Sequence, residues 1–187
     1  TGSPMREVIE KHKSSILQSK VLTRLGLQEK RYILLSAHRE ENIDDEETFL
    51  SLMNAINDIA ETYNLPVIYS THPRSRKFIE KRGFAFHPNV RALEPFGFFD
   101  YNRLQLSAYC VLSDSGRLSE ESAMLRFPAV LIRASTERPE ALDAGTIVLG
   151  GVTTKSITQA MALSVAMYEN NEPVVLAEDY EDTNVSV

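Results

Sequence analysis

Four short polar segments carry the side chains able to do chemistry in this chain, and each suits an anionic ligand. The first is Ser113-Asp114-Ser115-Gly116, which follows the apolar run 108–112 and precedes a helical pattern over 117–126. A strand that turns on small residues into a helix start presents unpaired N–H groups together with the positive end of the helix dipole. That combination is an anion site, most often for phosphate. Glu120 and Glu121 fall in the first turn, where carboxylates suit the dipole and could also reach a sugar hydroxyl. The same spacing equally fits a plainer role, with Ser115 capping a helix and two ordinary first-turn acids behind it.

His38-Arg39 is the second segment, placed directly after the apolar run 32–36. An imidazole that titrates near neutrality and a planar guanidinium fork are both donors to an oxyanion, although such a pair can also answer Glu40 and Glu41 at a surface. His72, before Pro73, carries the same ambiguity with a weaker signal. In the fourth segment, Thr136-Glu137-Arg138-Pro139-Glu140, Arg138 would be a second phosphate clamp oriented by Glu137, or simply a charge neutralised by its neighbours. His12 and His87 sit in polar surroundings and read as surface residues.

Other chemistries find little support. No His, Cys or carboxylate set has metal-ligand spacing, so no metal site is expected. Ser115 lacks the G-x-S-x-G elbow of a hydrolase nucleophile. Neither G-x-G-x-x-G nor G-x-x-x-x-G-K-[ST] occurs, which removes the usual dinucleotide and P-loop readings.

Composition agrees. The 187 residues, 43% hydrophobic and 25% charged, suit one globular domain with a buried core. The net charge of −6 is spread without a basic stripe, so no nucleic-acid partner is expected. No apolar run approaches the ~18 residues of a membrane span, and no signal peptide is recognisable, which points to no membrane partner and a cytoplasmic location. Cys110, the single cysteine, lies inside an apolar run and reads as a small core residue. The start Thr1-Gly2-Ser3 suggests a tag scar or a chain cut from something longer.

Alternating strands and helices must position these segments. Helical patterns begin at Pro4 and end near Gly26; a strand is expected over 32–36, followed by a polar loop over 37–42. Asp44 with Glu47 reads as a capping-box start for a helix whose Phe49, Leu52, Met53, Ile56, Ile59 and Ala60 share one face. Strands follow over 67–70, 90–93, 108–112, 129–133 and 146–149, separated by helices over 74–82, 101–106, 117–126, 140–144 and 157–168. The acidic stretch 178–187 has no periodicity and is expected to be poorly ordered or docked elsewhere. The fold class is therefore α/β, a Rossmann-like parallel sheet with helices on both faces. All four segments follow strands, so they are expected along one carboxyl edge, where such sheets bind ligands.

These clusters, in this order, resemble the non-hydrolysing UDP-N-acetylglucosamine 2-epimerases, specifically the carboxyl-terminal half of that two-domain, GT-B-like fold. The matching pieces are Thr1-Gly-Ser-Pro4, Ala37-His-Arg-Glu-Glu-Asn42, His72-Pro73, Ser113-Asp-Ser-Gly116 with Glu120-Glu121, and Thr136-Glu-Arg-Pro-Glu140 running into Ala144-Gly145-Thr146. The resemblance implies that residues 1–187 form a UDP-binding domain whose amino-terminal partner domain is absent. It implies Ser115 and Gly116 on the diphosphate, Glu121 on the ribose hydroxyls, and His38 and Arg138 on the phosphates, with Arg39, His72 and Arg117 beside them. His38 is the one of these expected to act in catalysis. The family's reaction removes the C2 proton, expels UDP to give a glycal, and adds UDP back with a proton on the opposite face. It uses neither NAD nor a metal, and no cofactor is expected. A leaving diphosphate needs its charge held, which a helix start with Arg and His supplies.

Two departures stand out. Arg117 occupies the place of a second family glycine, and the family's acid/base carboxylates belong to the absent domain, so this chain alone is expected to bind without catalysing. The His-Arg-Glu-Glu-Asn form with Arg117 looks closer to a branch serving capsule or O-antigen synthesis, making N-acetylfucosamine precursors from a UDP-6-deoxy-talosamine-type sugar. A homodimer is expected of the full-length enzyme. The donor-binding half of a GT-B glycosyltransferase and a non-catalytic UDP-sugar sensor remain as alternatives.

Overall fold

The computed structural model describes residues 4–133 and 147–170. The expected helix over 140–144, the Thr136–Glu140 segment with Arg138, the Thr1-Gly2-Ser3 start and the acidic stretch 178–187 lie outside the described residues.

Among the described residues six strands form one parallel sheet: β1 (Ile33–Ser36), β2 (Val67–Ser70), β3 (Val90–Leu93), β4 (Cys110–Ser113), β5 (Ala129–Leu131) and β6 (Val148–Leu149). Their spatial order is β3-β2-β1-β4-β5-β6, and every pairing is parallel. Chain order reverses between β1 and β4, which opens a crevice at their carboxyl ends because the loops after these two strands leave in opposite directions.

Strand side chains alternate between two apolar layers. Ile33, Leu35, Val67, Tyr69, Cys110 and Leu112 point to one core and Tyr32, Leu34, Ile68 and Val111 to the other. Both faces are dry, as an all-parallel sheet requires. The first layer is covered by α3 (Glu40–Ile43), α4 (Glu46–Tyr63) and α8 (Thr154–Glu169). The predicted stripe of α4, from Phe49 to Ala60, is at most 1% exposed. The second layer is covered by α2 (Val21–Leu25), α6 (Phe98–Ser107) and α7 (Leu118–Leu125), with α1 (Pro4–Gln18) packed over α6. A further helix, α5 (Pro73–Arg82), follows β2. Cys110 is fully buried and burial pushes its thiol up to about 12, in keeping with a core residue.

Several boundaries differ from expectation for identifiable reasons. The polar loop 37–42 closes into the helical turn α3. The cap of α4 is Asp45, whose carboxylate accepts from the Thr48 N–H at 2.8 Å, and not Asp44. Asp44 is taken by Arg74, whose Nε and Nη2 donate to it at 3.2 and 2.5 Å. His72 is no simple loop residue: it is the N-cap of α5, its Nδ1 accepting from the Arg74 N–H at 3.2 Å, with Pro73 at the first helical position. Helix α6 begins three residues earlier than expected, at Phe98.

Candidate active site

The crevice between β1 and β4 holds a cavity of about 260 Å³, lined by Met5, Ser36, His38, Phe96, Phe98, Tyr101, Asn102, Ser115, Arg117 and Glu121. Of the expected site residues, His38, Ser115, Arg117 and Glu121 meet there. Arg39, His72 and Gly116 do not line this cavity, although the His72 ring lies 5.8 Å from that of His38, so both histidines sit at one corner.

A buried carboxylate organises the β1 side. Asp114 has no exposed surface, and its Oδ2 accepts from the backbone N–H groups of His38 and Arg39, both at 2.9 Å, and from Asn42 Nδ2 at 3.1 Å. Asn42 also donates to the Ile132 carbonyl at 3.1 Å, tying the ends of β1, β4 and β5 together. Arg133 Nε donates to Glu41 at 2.8 Å from the β5 end. On the β2 side the Ala37 carbonyl accepts from Tyr69 Oη at 2.9 Å and from Ser75 Oγ at 2.8 Å. His38 thus projects from a loop held from both directions, with its own side chain 41% exposed.

The β4–α7 turn supplies the opposite wall. Ser115 N–H donates to Ser113 Oγ at 3.1 Å, and the Arg117 N–H donates to Ser115 Oγ at 3.3 Å. The N-cap of α7 is Arg117, which makes no side-chain cap bond, so Ser115 closes the turn ahead of the helix instead of capping it. Arg117 is exposed and lines the cavity with its cationic side chain, at the positive end of α7.

Glu121 lies one turn into α7. Its Oε2 accepts from Gln105 Nε2 of α6 at 2.6 Å. Burial raises its carboxyl above the ordinary glutamate value, while the Gln105 hydrogen bond and the Arg117 charge pull the other way. Tyr101 lines the cavity beside it, and burial raises its phenol strongly. Met5, Phe96 and Phe98 add an apolar surface from α1, the β3–α6 connection and the first residue of α6. The cavity therefore combines a guanidinium, an imidazole, hydroxyls, a carboxylate acceptor and an apolar surface, which together suit an anionic ligand bearing hydroxyls and a flat apolar part.

Asp114, Asn42, Gln105, Tyr101 and the Phe96–Phe98 segment were not singled out from sequence. Asp114 and Asn42 stood inside recognised motifs, and a buried acid between two strand-end clusters was a usable signal. Gln105 carried none, because its partner lies 16 residues away on another helix. Among the described residues no cluster of His, Cys, Asp and Glu could hold a metal ion, and no helix is long and apolar enough to cross a membrane.

Comparison with known proteins sets this geometry in context. A family model described as UDP-N-acetylglucosamine 2-epimerase matches residues 1–187. A UDP-N-acetylglucosamine 2-epimerase of Methanocaldococcus jannaschii is 30% identical over 143 residues, covering 74% of this chain and 39% of the relative. One of Bacillus subtilis is 34% identical over 142 residues, covering 74% and 36%. Among solved structures, UDP-N-acetylglucosamine 2-epimerase from Rickettsia bellii superposes with a TM-score of 0.81 at 35% identity, over 96% of this chain and 48% of that one. The Neisseria meningitidis enzyme bound to UDP-GlcNAc gives 0.78 at 28% identity, over 98% and 51%. The chain thus spans less than two fifths of those curated relatives, and about half the length of those solved ones.

Proposed function

The chain belongs to the UDP-N-acetylglucosamine 2-epimerase family, and from that premise we propose that it is the UDP-binding, carboxyl-terminal half of a UDP-N-acetylhexosamine 2-epimerase. The observation that carries the reading is the meeting of His38, Ser115, Arg117 and Glu121 in one cavity at the β1/β4 crevice.

In this reading the diphosphate lies against Ser115 and Gly116 at the start of α7, where the dipole and the Arg117 guanidinium offset its charge. His38, carried by the loop that Asp114 anchors, donates to a phosphate oxygen, with Arg39 and His72 nearby; Arg138, outside the described residues, is assigned to the same phosphates by the motif in which it stands. Glu121 accepts from the ribose hydroxyls, and Met5, Phe96 and Phe98 flank the base. Loss of the C2 proton and departure of UDP give a glycal; UDP then returns with protonation from the opposite face. These groups hold the departing diphosphate while its negative charge develops, so they act most strongly in the transition state. His38 is the group placed to meet that charge directly. The carboxylates that move the C2 proton belong to an amino-terminal half, and this half alone binds without turning over. The complete enzyme works as a homodimer in the cytoplasm, supplying bacterial surface polysaccharide synthesis. The His-Arg-Glu-Glu-Asn segment with Arg117 supports a UDP-6-deoxy-talosamine-type sugar as the alternative substrate to UDP-N-acetylglucosamine within that chemistry.

Calorimetric titration with UDP tests the binding half. Saturable binding, weakened roughly tenfold or more in Glu121→Ala, is expected; a folded wild-type protein that ignores UDP overturns the reading. For the full-length enzyme, incubation with UDP-N-acetylglucosamine in deuterium oxide should place deuterium at C2.

A further inference from the structure

Gln105 is fully buried on α6, and its amide reaches across to α7. Its Nε2 donates to Glu121 Oε2 at 2.6 Å, a short charge-assisted bond. Its Oε1 is buried and has no hydrogen-bond partner among the described residues. A leucine or methionine of similar volume would fill this place without stranding a carbonyl, so packing does not account for an amide here. The bond to Glu121 does.

Glu121 needs such a partner. It lines the cavity, it is partly buried, and the burial that raises its carboxyl is opposed first by the Gln105 donor. Among the described residues its Oε1 accepts no hydrogen bond, while Oε2 is committed to Gln105. One carboxylate oxygen is thus tethered and the other is left for a ligand. A freely rotating carboxylate would lose rotamer entropy on meeting a diol; one already held does not.

Building on the reading of Glu121 as the ribose acceptor, we propose that Gln105 is a positioning residue that fixes the Glu121 carboxylate for the ribose diol of a UDP ligand. It touches no ligand itself. Its effect is confined to the part of the binding energy that comes from the two ribose hydroxyls.

The test compares UDP with 2′,3′-dideoxy-UDP on the full-length protein, in wild type, Gln105→Leu and Gln105→Glu, with circular dichroism to establish folding. Wild type should prefer UDP by about tenfold, and Gln105→Leu should lose most of that preference while binding dideoxy-UDP within about twofold of wild type. Gln105→Glu keeps the shape but sets two carboxylates together; the preference should be lost near pH 8 and return as the pH falls and the pair shares a proton. Equal weakening of both nucleotides in Gln105→Leu would mark a merely structural role and overturn the proposal. So would a Gln105→Glu variant that keeps the wild-type preference at every pH. A wild type that binds UDP without preferring it over dideoxy-UDP would instead remove Glu121 from the ribose, and Gln105 with it.

Discussion

Nδ1 of His38 lies 3.4 Å from Oδ1 of Asp114, a half-exposed imidazole facing a carboxylate with no solvent contact at all. Among the described residues Asp114 Oδ1 makes no hydrogen bond, whereas Oδ2 takes three. The carboxylate therefore anchors the loop backbone through one oxygen and presents the other to the ring. Such an arrangement orients the imidazole, leaving Nε2 free of the carboxylate to face an approaching anion.

Asp114→Ala should leave the N–H groups of His38 and Arg39 and the Asn42 amide without their shared acceptor. A loss of about 3 kcal/mol or more in folding stability is expected, since hydrogen bonds to a buried charge are worth ~1.5–3 kcal/mol each. Urea denaturation measures it, and an unchanged midpoint would show that water replaces the carboxylate at little cost.

His38→Ala should behave differently. The side chain is 41% exposed, so stability should change by less than about 0.5 kcal/mol while UDP affinity falls roughly tenfold. Paired with Asp114→Asn in a double-mutant cycle, the two changes should be non-additive in UDP binding, because the second residue acts through the first.

Glu121 predicts a pH dependence. Its folded carboxyl titrates above the ordinary glutamate value of 4.5, so the native state binds more protons than the unfolded chain over the interval between the two values. Stability from this group is present below 4.5 and is lost as pH rises through the folded value. Glu121→Gln removes the titration. Chemical denaturation across that interval should show the wild type losing stability with rising pH relative to Glu121→Gln, and parallel curves would contradict the assignment.

Ser164 on α8 accepts from the Ala129 N–H at 2.9 Å and donates to the Ala129 carbonyl at 3.1 Å, pinning that helix to the start of β5. The serine is 7% exposed, so Ser164→Ala strands two buried backbone groups. A cost of about 1–3 kcal/mol is expected by thermal or urea unfolding. Gly150→Ala should cost a similar amount, about 1–3 kcal/mol, because an added Cβ would collide with Val130 Cγ1 on the neighbouring strand.

Much of this molecule is local in origin. The runs Val67–Ser70 and Val90–Leu93 became strands over the expected residues, since each is a short apolar stretch cut off by turn residues on both sides. The α4 stripe was readable for the same reason: helical periodicity is a property of neighbours in sequence. Alternating strands and helices also place His38, His72 and Ser115 on one edge, because parallel strands share a carboxyl end. Pairwise choices between distant groups were not readable. Asp44 and Asp45 are equivalent caps in sequence, and only the arrival of Arg74 from α5 assigns the first to an ion pair and leaves the second for Thr48. The turn at Glu40–Ile43 has no periodicity of its own and closes on Asp114, which lies more than 70 residues away. Sequence by itself determined which residues stand at the ends of strands, since that follows from hydrophobic period and turn chemistry. Tertiary structure alone decided that β4 lies beside β1, and hence that Asp114 reaches the His38 loop and Gln105 reaches Glu121. Such contacts depend on how layers stack, and nothing in the local chain encodes the distance between them.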